Sequence, residues 1–234
     1  APSLSEFKPH AANGTFGRVE VELPAAFLAL NDVQKRHNLL AALAAYLGRV
    51  AEEPGIVSLG LCADDMTPEL RQLYADVVPF SLNVAANSTW SALLNEASNR
   101  YSDAVERKTY LRDIWTRYAV LRDKQKDDRQ LHVALGFADA IAAVPEGVHL
   151  LIDCSAGSKH LEARFDIGAM GKLQAQRLIR RLVHLIEVAL KSADVAIDDL
   201  PIVTPEEREL LLTTFQDTAR PDVEFACIHE LFAA

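Results

Sequence analysis

Segments with the hydrophobic spacing of strands and of helices alternate along this chain, and this alternation limits its possible folds more than any other feature. Residues 16–23 (FGRVEVEL) have the period of two that is typical of a half-buried strand. Residues 31–50 carry apolar side chains at helical spacing, and Asn31 or Asp32 is placed to cap that helix. Because neither segment can bury its apolar side alone, the sequence predicts a mixed α/β domain.

The rest of the chain continues this alternation. Further strands are predicted at 56–62, 77–85, 131–139, 147–157 and 159–167, and further helices at 88–104, 110–123 and 171–192. Pro79 interrupts one strand, which therefore belongs at an edge of the sheet or at a bulge. The short segment SAGS between the last two strands predicts a hairpin. These segments add up to five or six strands and four or five helices.

The end of the chain has a different character. Thr204, Pro205 and Glu207 have the spacing of a capping box with proline at the first helical position, which predicts a short helix. Residues 217–226 (DTARPDVEFA) have no hydrophobic period and predict an exposed connector. Residues 227–234 (CIHELFAA) begin an amphipathic helix that stops before two turns. We therefore expect a piece of a longer chain, with a domain at 1–200 and a linker at 201–234.

The charge of the chain is acidic. Lysine and arginine total 24 against 33 aspartates and glutamates, which gives a formal net charge of −9. This balance argues against binding to nucleic acids or anionic membranes, since both need clustered positive charge. The sequence has no signal-peptide pattern and no run of 18 apolar residues, so we expect a cytoplasmic chain. Cys62, Cys154 and Cys227 stand far apart in apolar surroundings, which predicts reduced, buried thiols.

No catalytic or metal-binding motif is complete in this sequence. Ser155, in LIDCSAG, lacks the first glycine of the G-x-S-x-G nucleophile elbow, and a strand rather than a helix follows it. The histidines have no spacing to one another that indicates a metal site. Residues 168–174 (GAMGKLQ) lack the glycine spacing of a phosphate-binding loop. We therefore expect no catalytic residue and no metal ligand in this chain.

Three arginines, Arg177, Arg180 and Arg181, occupy the polar side of the long helix at 171–192. This cluster could hold a phosphate group or an acidic partner. The same pattern is also typical of a solvated helix face, and the sequence leaves both interpretations open.

The segment at 200–232 carries a family resemblance. Its pattern runs from L-P-x-x-T-x-x-E-R, through a short connector, to C-I-H-E-L-F. The residues that fit are Leu200, Pro201, Thr204, Glu207, Arg208, Asp217, Thr218 and 227–232. This segment resembles the junction of nonribosomal peptide synthetases at which a condensation domain ends and an adenylation domain begins. Upstream, Pro79, Phe80 and Asn83 are similar to the family's G-x-F-V-N-T strand without its glycine, and residues 110–123 keep none of the family's D-x-P-F-E motif.

The resemblance implies a chloramphenicol-acetyltransferase-like fold, a mixed sheet flanked by helices, of which this chain is the C-terminal lobe. The catalytic histidine of the family, in H-H-x-x-x-D-G, belongs to the other lobe. A general base must lie within hydrogen-bond reach of the group it serves, so we expect no peptide-bond formation by this chain alone. No cofactor is expected here, and phosphopantetheine and ATP with Mg²⁺ are expected only in neighbouring domains of the parent protein.

Three functions follow from the resemblance. The first is a truncated, non-catalytic condensation-like domain that acts as a platform for an adenylation domain in the same chain, an arrangement similar to that of ACV tripeptide synthetases. The expected interface residues are Leu200, Pro201, Val223, Phe225, Ile228, His229, Leu231 and Phe232. The second is an excised donor-side lobe of a catalytic condensation domain, which joins carrier-bound aminoacyl groups. The third is a module that binds a carrier protein or an accessory protein through Arg177, Arg180 and Arg181.

Overall fold

A computed structural model describes most of the chain. The described residues are 7–50, 55–63, 67–85, 87–118, 131–137, 143–192 and 194–214. The chain divides into two compact units, Ala1–Ile202 and Val203–Ala234. This division falls two residues after the boundary that the sequence predicts.

The first unit is built on one six-stranded mixed sheet. The strands are β1 (Phe16–Glu22), β2 (Gly55–Cys62), β3 (Val77–Val84), β4 (Val133–Gly136), β5 (Leu150–Asp153) and β6 (His160–Asp166). Their order in the sheet is β1-β6-β5-β4-β2-β3. The pairs β2–β4 and β4–β5 are parallel, and the other three pairs are antiparallel. The helices are α1 (Ala25–Leu28), α2 (Asp32–Val50), α3 (Pro68–Leu73), α4 (Trp90–Arg107), α5 (Ile114–Arg117) and α6 (Lys172–Lys191).

The core lies between one face of the sheet and the three long helices α2, α4 and α6. Its largest fully buried side chains include Trp90, Phe27, Phe165, Leu39, Leu40, Leu43 and Leu47. Burial of each such side chain contributes about 1.5–3 kcal/mol to folding. The α/β class, the six strands and the flanking helices are as the sequence predicts.

Local signals predicted most elements well. The side chain of Asn31 caps α2 by accepting a bond of 2.9 Å from the N–H of Gln34. The Oγ1 atom of Thr89 caps α4 by accepting from the N–H of Ala92 at 3.3 Å. The strand that contains Pro79 lies at the edge of the sheet, and β5 and β6 form the predicted hairpin with Asp153 opposite Glu162.

The helix predicted at 110–123 is wrong over its first residues. Leu111 instead forms an antiparallel bridge with Tyr74, and only Ile114–Arg117 is helical in the described part of this segment, which ends at residue 118. The carbonyl of Tyr110 accepts from the N–H of Ala75 at 2.9 Å, so this backbone is already bonded to a distant segment. Such long-range pairing overrides helical spacing.

Leu173 was expected on the apolar side of the long helix, and this expectation is also wrong, since its side chain is 60% exposed. Leu173 and the buried Leu182 are nine residues apart, which is two and a half helical turns, so they lie on opposite sides of α6.

Gly17 gives the pairing of β1 and β6 a strict packing requirement. It lies opposite Phe165, and a Cβ atom at residue 17 would lie only 2.5 Å from Cζ of the Phe165 ring. Gly17→Val is therefore expected to lower the free energy of unfolding by about 1–3 kcal/mol in urea denaturation, because the ring must move. Glu22→Val is the control, since it adds the same side chain on the exposed side of the same strand. An equal loss in both variants would contradict this role of Gly17.

Candidate functional site

Leu200 and Pro201 have opposite environments at the end of the first unit. The side chain of Leu200 is only 1% exposed, and its carbonyl accepts a hydrogen bond from the guanidinium of Arg49. Pro201 is exposed. Leu200 therefore belongs to the core of the first unit, and of the two expected interface residues only Pro201 is exposed. The other expected interface residues, Val223, Phe225, Ile228, His229, Leu231 and Phe232, lie outside the described residues.

The second unit begins with the predicted capping box. The Oγ1 atom of Thr204 accepts from the N–H of Glu207 at 3.3 Å, and Oε2 of Glu207 accepts from the N–H of Thr204 at 3.4 Å. This pair starts helix α7 (Pro205–Glu209), which continues as a π-helical turn over Leu210–Thr214. The capping box is confirmed.

Three adjacent leucines follow α7 and expose their side chains. Leu210, Leu211 and Leu212 are 38%, 48% and 53% exposed. Sequence reasoning missed them as a site, although the run LLL is visible in the sequence. Several exposed leucines in a row favour a place where another protein surface binds. We call residues 210–212 the leucine run.

The arginine cluster divides between two environments. Arg177 and Arg180 are exposed on α6, as a solvated or partner-binding face requires. Arg181 is half-buried instead, and its Nη1 atom donates to the hydroxyl of Tyr46 on α2 at 3.5 Å. The structure thus brings two of the three predicted arginines to one surface, and the third connects two helices.

The face of the sheet opposite the long helices carries a ladder of ion pairs across β1, β6 and β5. A guanidinium nitrogen of Arg18 lies 2.8 Å from a carboxylate oxygen of Glu162, and Nε of Arg164 lies 2.6 Å from the other oxygen. Arg164 also pairs with the buried Asp153 at 3.6 Å, and Arg18 pairs with Glu20. The polar residues that alternate with apolar ones in FGRVEVEL indicate that one face of β1 is charged. They do not reveal which residues of β6 and β5 pair with these charges.

The same sheet face is apolar at its centre. Cys62, Ala134, Val148 and Leu151 are buried there in a small cluster separate from the main core. Cys62 and Cys154 are both buried, reduced thiols, as predicted, while Cys227 lies outside the described residues. Burial, together with the charge of Asp153, raises the pKa of the Cys154 thiol to about 11. That thiol is therefore protonated at neutral pH and is a poor nucleophile.

The two histidines that immediately precede β4 and β5 pack against each other. The rings of His132 and His149 stack with their centroids 5.0 Å apart, and Phe7 meets the His132 ring edge-on at 6.1 Å. Burial and the charge of His149 lower the pKa of His132.

Ser155 begins the turn that joins β5 to β6, so its place differs from that of an elbow nucleophile. In the part of the chain that is described, no three His, Cys, Asp or Glu side chains come together as a metal site would require.

The fold matches that of solved condensation domains. One match is a mutant of the starter condensation domain of rhizomide synthetase RzmA in complex with C8-CoA and Leu-SNAC. Its TM-score is 0.59 at 17% sequence identity, and the match covers 79% of this chain and 46% of that chain. Another is holo-AB3403, a four-domain nonribosomal peptide synthetase bound to AMP and glycine. Its TM-score is 0.62 at 7% identity, over 88% of this chain and 19% of that chain. The predicted chloramphenicol-acetyltransferase-like class of fold is confirmed.

Two of the proteins that are similar in sequence are synthetases of fungi. Nonribosomal peptide synthetase GRA1 of Gibberella zeae is 29% identical over 115 residues, which are 45% of this chain and 1% of GRA1. N-benzoylphenylalaninol synthetase apmA of Penicillium brevicompactum is 29% identical over 89 residues, 37% of this chain and 4% of that protein. No family model matches the chain. The resemblance to nonribosomal peptide synthetases is confirmed, and this chain spans only a few per cent of the length of these relatives.

Among the described helices, none has the length and apolar character to cross a membrane.

Proposed function

We propose that this chain is a non-catalytic, condensation-like region of a nonribosomal peptide synthetase that serves as a platform for a following adenylation domain. The observation that carries the proposal is the leucine run, which is exposed in a segment whose sequence resembles a condensation–adenylation junction. Leucines that remain in water forgo the free energy of burial, about 1.5–3 kcal/mol for each fully buried side chain. A following domain that covers them recovers that free energy.

The sheet face opposite the three long helices is consistent with a lobe that stands without a catalytic partner lobe. The ladder of Arg18, Glu20, Glu162 and Arg164 pairs its charges within the first unit. The Arg18 and Glu20 side chains are 63% and 42% exposed, so water solvates this end of the face. A surface of paired, hydrated charges is stable in water and does not need a second apolar surface against it.

A second candidate is the donor-side lobe of a complete, catalytic condensation domain. It is favoured by the match to the RzmA domain, of which this chain covers 46%, about the share that one of two lobes would take. The coding sequence upstream distinguishes the two candidates. A lobe with H-H-x-x-x-D-G directly before residue 1 would favour the catalytic domain and would overturn the non-catalytic proposal. An unrelated sequence or a start codon there would support the platform.

The platform itself is tested in the longest chain that the reading frame encodes. Leu211→Asp places a charge in the leucine run and is expected to lower the melting temperature of the adenylation domain. It is also expected to slow amino-acid-dependent ATP–pyrophosphate exchange by about tenfold or more, since the interface loses roughly 1.5–3 kcal/mol.

The matched control is Leu73→Asp, which changes another leucine that is 60% exposed, at the end of α3 in the first unit. This variant is expected to leave melting and exchange unchanged. If Leu211→Asp behaves in the same way as Leu73→Asp, the leucine run does not support an adenylation domain and the platform proposal fails.

A further inference from the structure

A cleft of about 700 Å³ opens in the first unit where β2 ends, beside α3 and the last turns of α4. Its walls are mainly apolar and include Tyr74 and Tyr101. Three positively charged residues are among those that line it, Arg36, Arg107 and Lys108. The described residues that line it include no aspartate or glutamate. Since the whole chain has a formal net charge of −9, a cationic cleft does not follow from the composition.

Arg36 is held in a defined position at this cleft. Its guanidinium donates a hydrogen bond to the hydroxyl of Tyr101. The guanidinium carbon also lies 5.9 Å from the centroid of the Tyr101 ring and 5.5 Å from that of Phe137. A planar cation placed between a hydroxyl and two rings has already lost much of its side-chain freedom, so it can bind an anion at a small further entropic cost.

The backbone of Lys108 has a conformation that favours glycine. Its φ is +57° and its ψ is −121°, and its N–H donates to the carbonyl of Ala104 to end α4. The next residue holds this geometry, because Oγ1 of Thr109 donates to the carbonyl of Ala75 at 2.7 Å. A residue with a Cβ atom in such a region is strained, and strain of this kind concentrates at functional sites.

Stabilisation of the helix dipole is the simpler explanation for cations at the end of α4. It accounts for the charge of Arg107 and Lys108, which occupy the last residue and the cap of the helix. It does not account for a lysine at position 108, because glycine would relax the backbone there and the charge of Arg107 would remain. It also does not account for Arg36, which reaches the same cleft from α2.

We propose that this cleft is a binding site for a small organic anion with an apolar body, a carboxylate or a phosphate ester. The three cations hold the anionic group, and the apolar wall, with Tyr74 and Tyr101, buries the body of the ligand. The volume lies within the range of about 300–1,000 Å³ that is usual for small-molecule sites. This inference is independent of the platform proposal.

Binding to this cleft is expected to require both an anionic group and an apolar body. Four probes test these two requirements separately in calorimetric titration of the 234-residue chain. 1-Naphthyl phosphate and 1-naphthoate carry both an anionic group and an aromatic body. 1-Naphthol lacks the anionic charge at neutral pH, and inorganic phosphate lacks the body. At least one of the first two is expected to bind about tenfold or more tightly than both controls, and the better of them identifies the anionic group. Equal binding of 1-naphthol or of inorganic phosphate would overturn the proposal.

Lys108→Gly then tests whether the residue with the strained backbone contributes to ligand binding in the cleft. This variant is expected to raise the melting temperature, because the backbone relaxes, and to weaken binding of the preferred naphthyl probe by about tenfold. The raised melting temperature excludes unfolding as the cause of the weaker binding. Lys172→Gln, which removes a lysine at the start of α6, is the control and is expected to bind the probe as the unchanged chain does. Unchanged affinity in Lys108→Gly would overturn the proposal.

Discussion

Asp166→Ala is expected to lower the free energy of unfolding by about 2–4 kcal/mol, because it removes the acceptor for four backbone N–H groups. The Asp166 side chain is buried, with the residue only 1% exposed at the end of β6. Its carboxylate accepts from the N–H groups of Asn13 at 3.0 Å, Gly14 at 2.6 Å, Gly168 at 2.9 Å and Ala169 at 3.3 Å. It therefore ties the segment before β1 to the turn after β6. Urea denaturation followed by circular dichroism measures the loss.

Two further variants calibrate this result. Asp166→Asn keeps the size of the side chain and one acceptor oxygen, so its loss is expected to be intermediate. Asp198→Ala is the control, because Asp198 is exposed and its carboxylate accepts a single bond of 3.3 Å from the N–H of Asn87. A loss in Asp166→Ala no larger than that in Asp198→Ala would show that water replaces the carboxylate without cost.

The same carboxylate makes the stability depend on pH. Burial raises the pKa of Asp166, but the four backbone N–H donors outweigh it, so the pKa is lowered in the folded chain. Its contribution is therefore complete above the pKa of an unfolded aspartate, about 3.9, and is lost as the pH falls through the lower pKa of the folded state. As the pH falls from about 5 through this range, Asp166→Ala is expected to lose less stability than the unchanged chain. Parallel acid slopes would contradict this assignment.

Trp90→Ala is expected to cost about 3–5 kcal/mol, because it leaves a large cavity in the core. Trp90 is 1% exposed at the first residue of α4. Its backbone N–H donates to the backbone carbonyl of Val195 at 3.0 Å, and Thr89 beside it bridges to Ala196. The start of α4 is thus bonded to the chain segment after α6. Chemical denaturation is expected to show the loss with a reduced denaturation midpoint.

Trp90→Phe is the companion variant, and its loss is expected to be smaller because it keeps an aromatic ring in the core. Leu173→Ala removes an exposed side chain on α6 and is expected to change stability by less than about 0.5 kcal/mol. A Trp90→Ala loss below 1 kcal/mol would mean that the surrounding core collapses to fill the site.

Much of the secondary structure was predictable because its causes are local. The caps at Asn31, Thr89 and Thr204 join residues three positions apart. The hairpin of β5 and β6 follows from the short turn between two apolar runs. The resemblance to nonribosomal peptide synthetases was equally visible, because it rests on a contiguous motif at 200–232.

The tertiary structure decided the features that depend on distant pairs. Tyr110 bonds to Ala75 instead of continuing a helix, and Arg181 donates to Tyr46 instead of joining Arg177 and Arg180. The ion-pair ladder requires β1, β6 and β5 to be neighbours, which the order of segments in the chain does not reveal. The same distinction applies to the two candidate sites. The junction motif is contiguous and was visible in the sequence, whereas the cationic cleft brings together Arg36 and Lys108 from different helices.

The sequence by itself determined the α/β class, most element boundaries, the caps and the family resemblance. Only the tertiary structure decided the strand order, the burial of Leu200, the exposure of Leu173 and the convergence of cations at the cleft. The physical reason is the range of the interactions. Hydrophobic period and capping act within a few residues of the chain, whereas strand pairing and side-chain packing are settled by free energies shared among segments that are far apart in sequence.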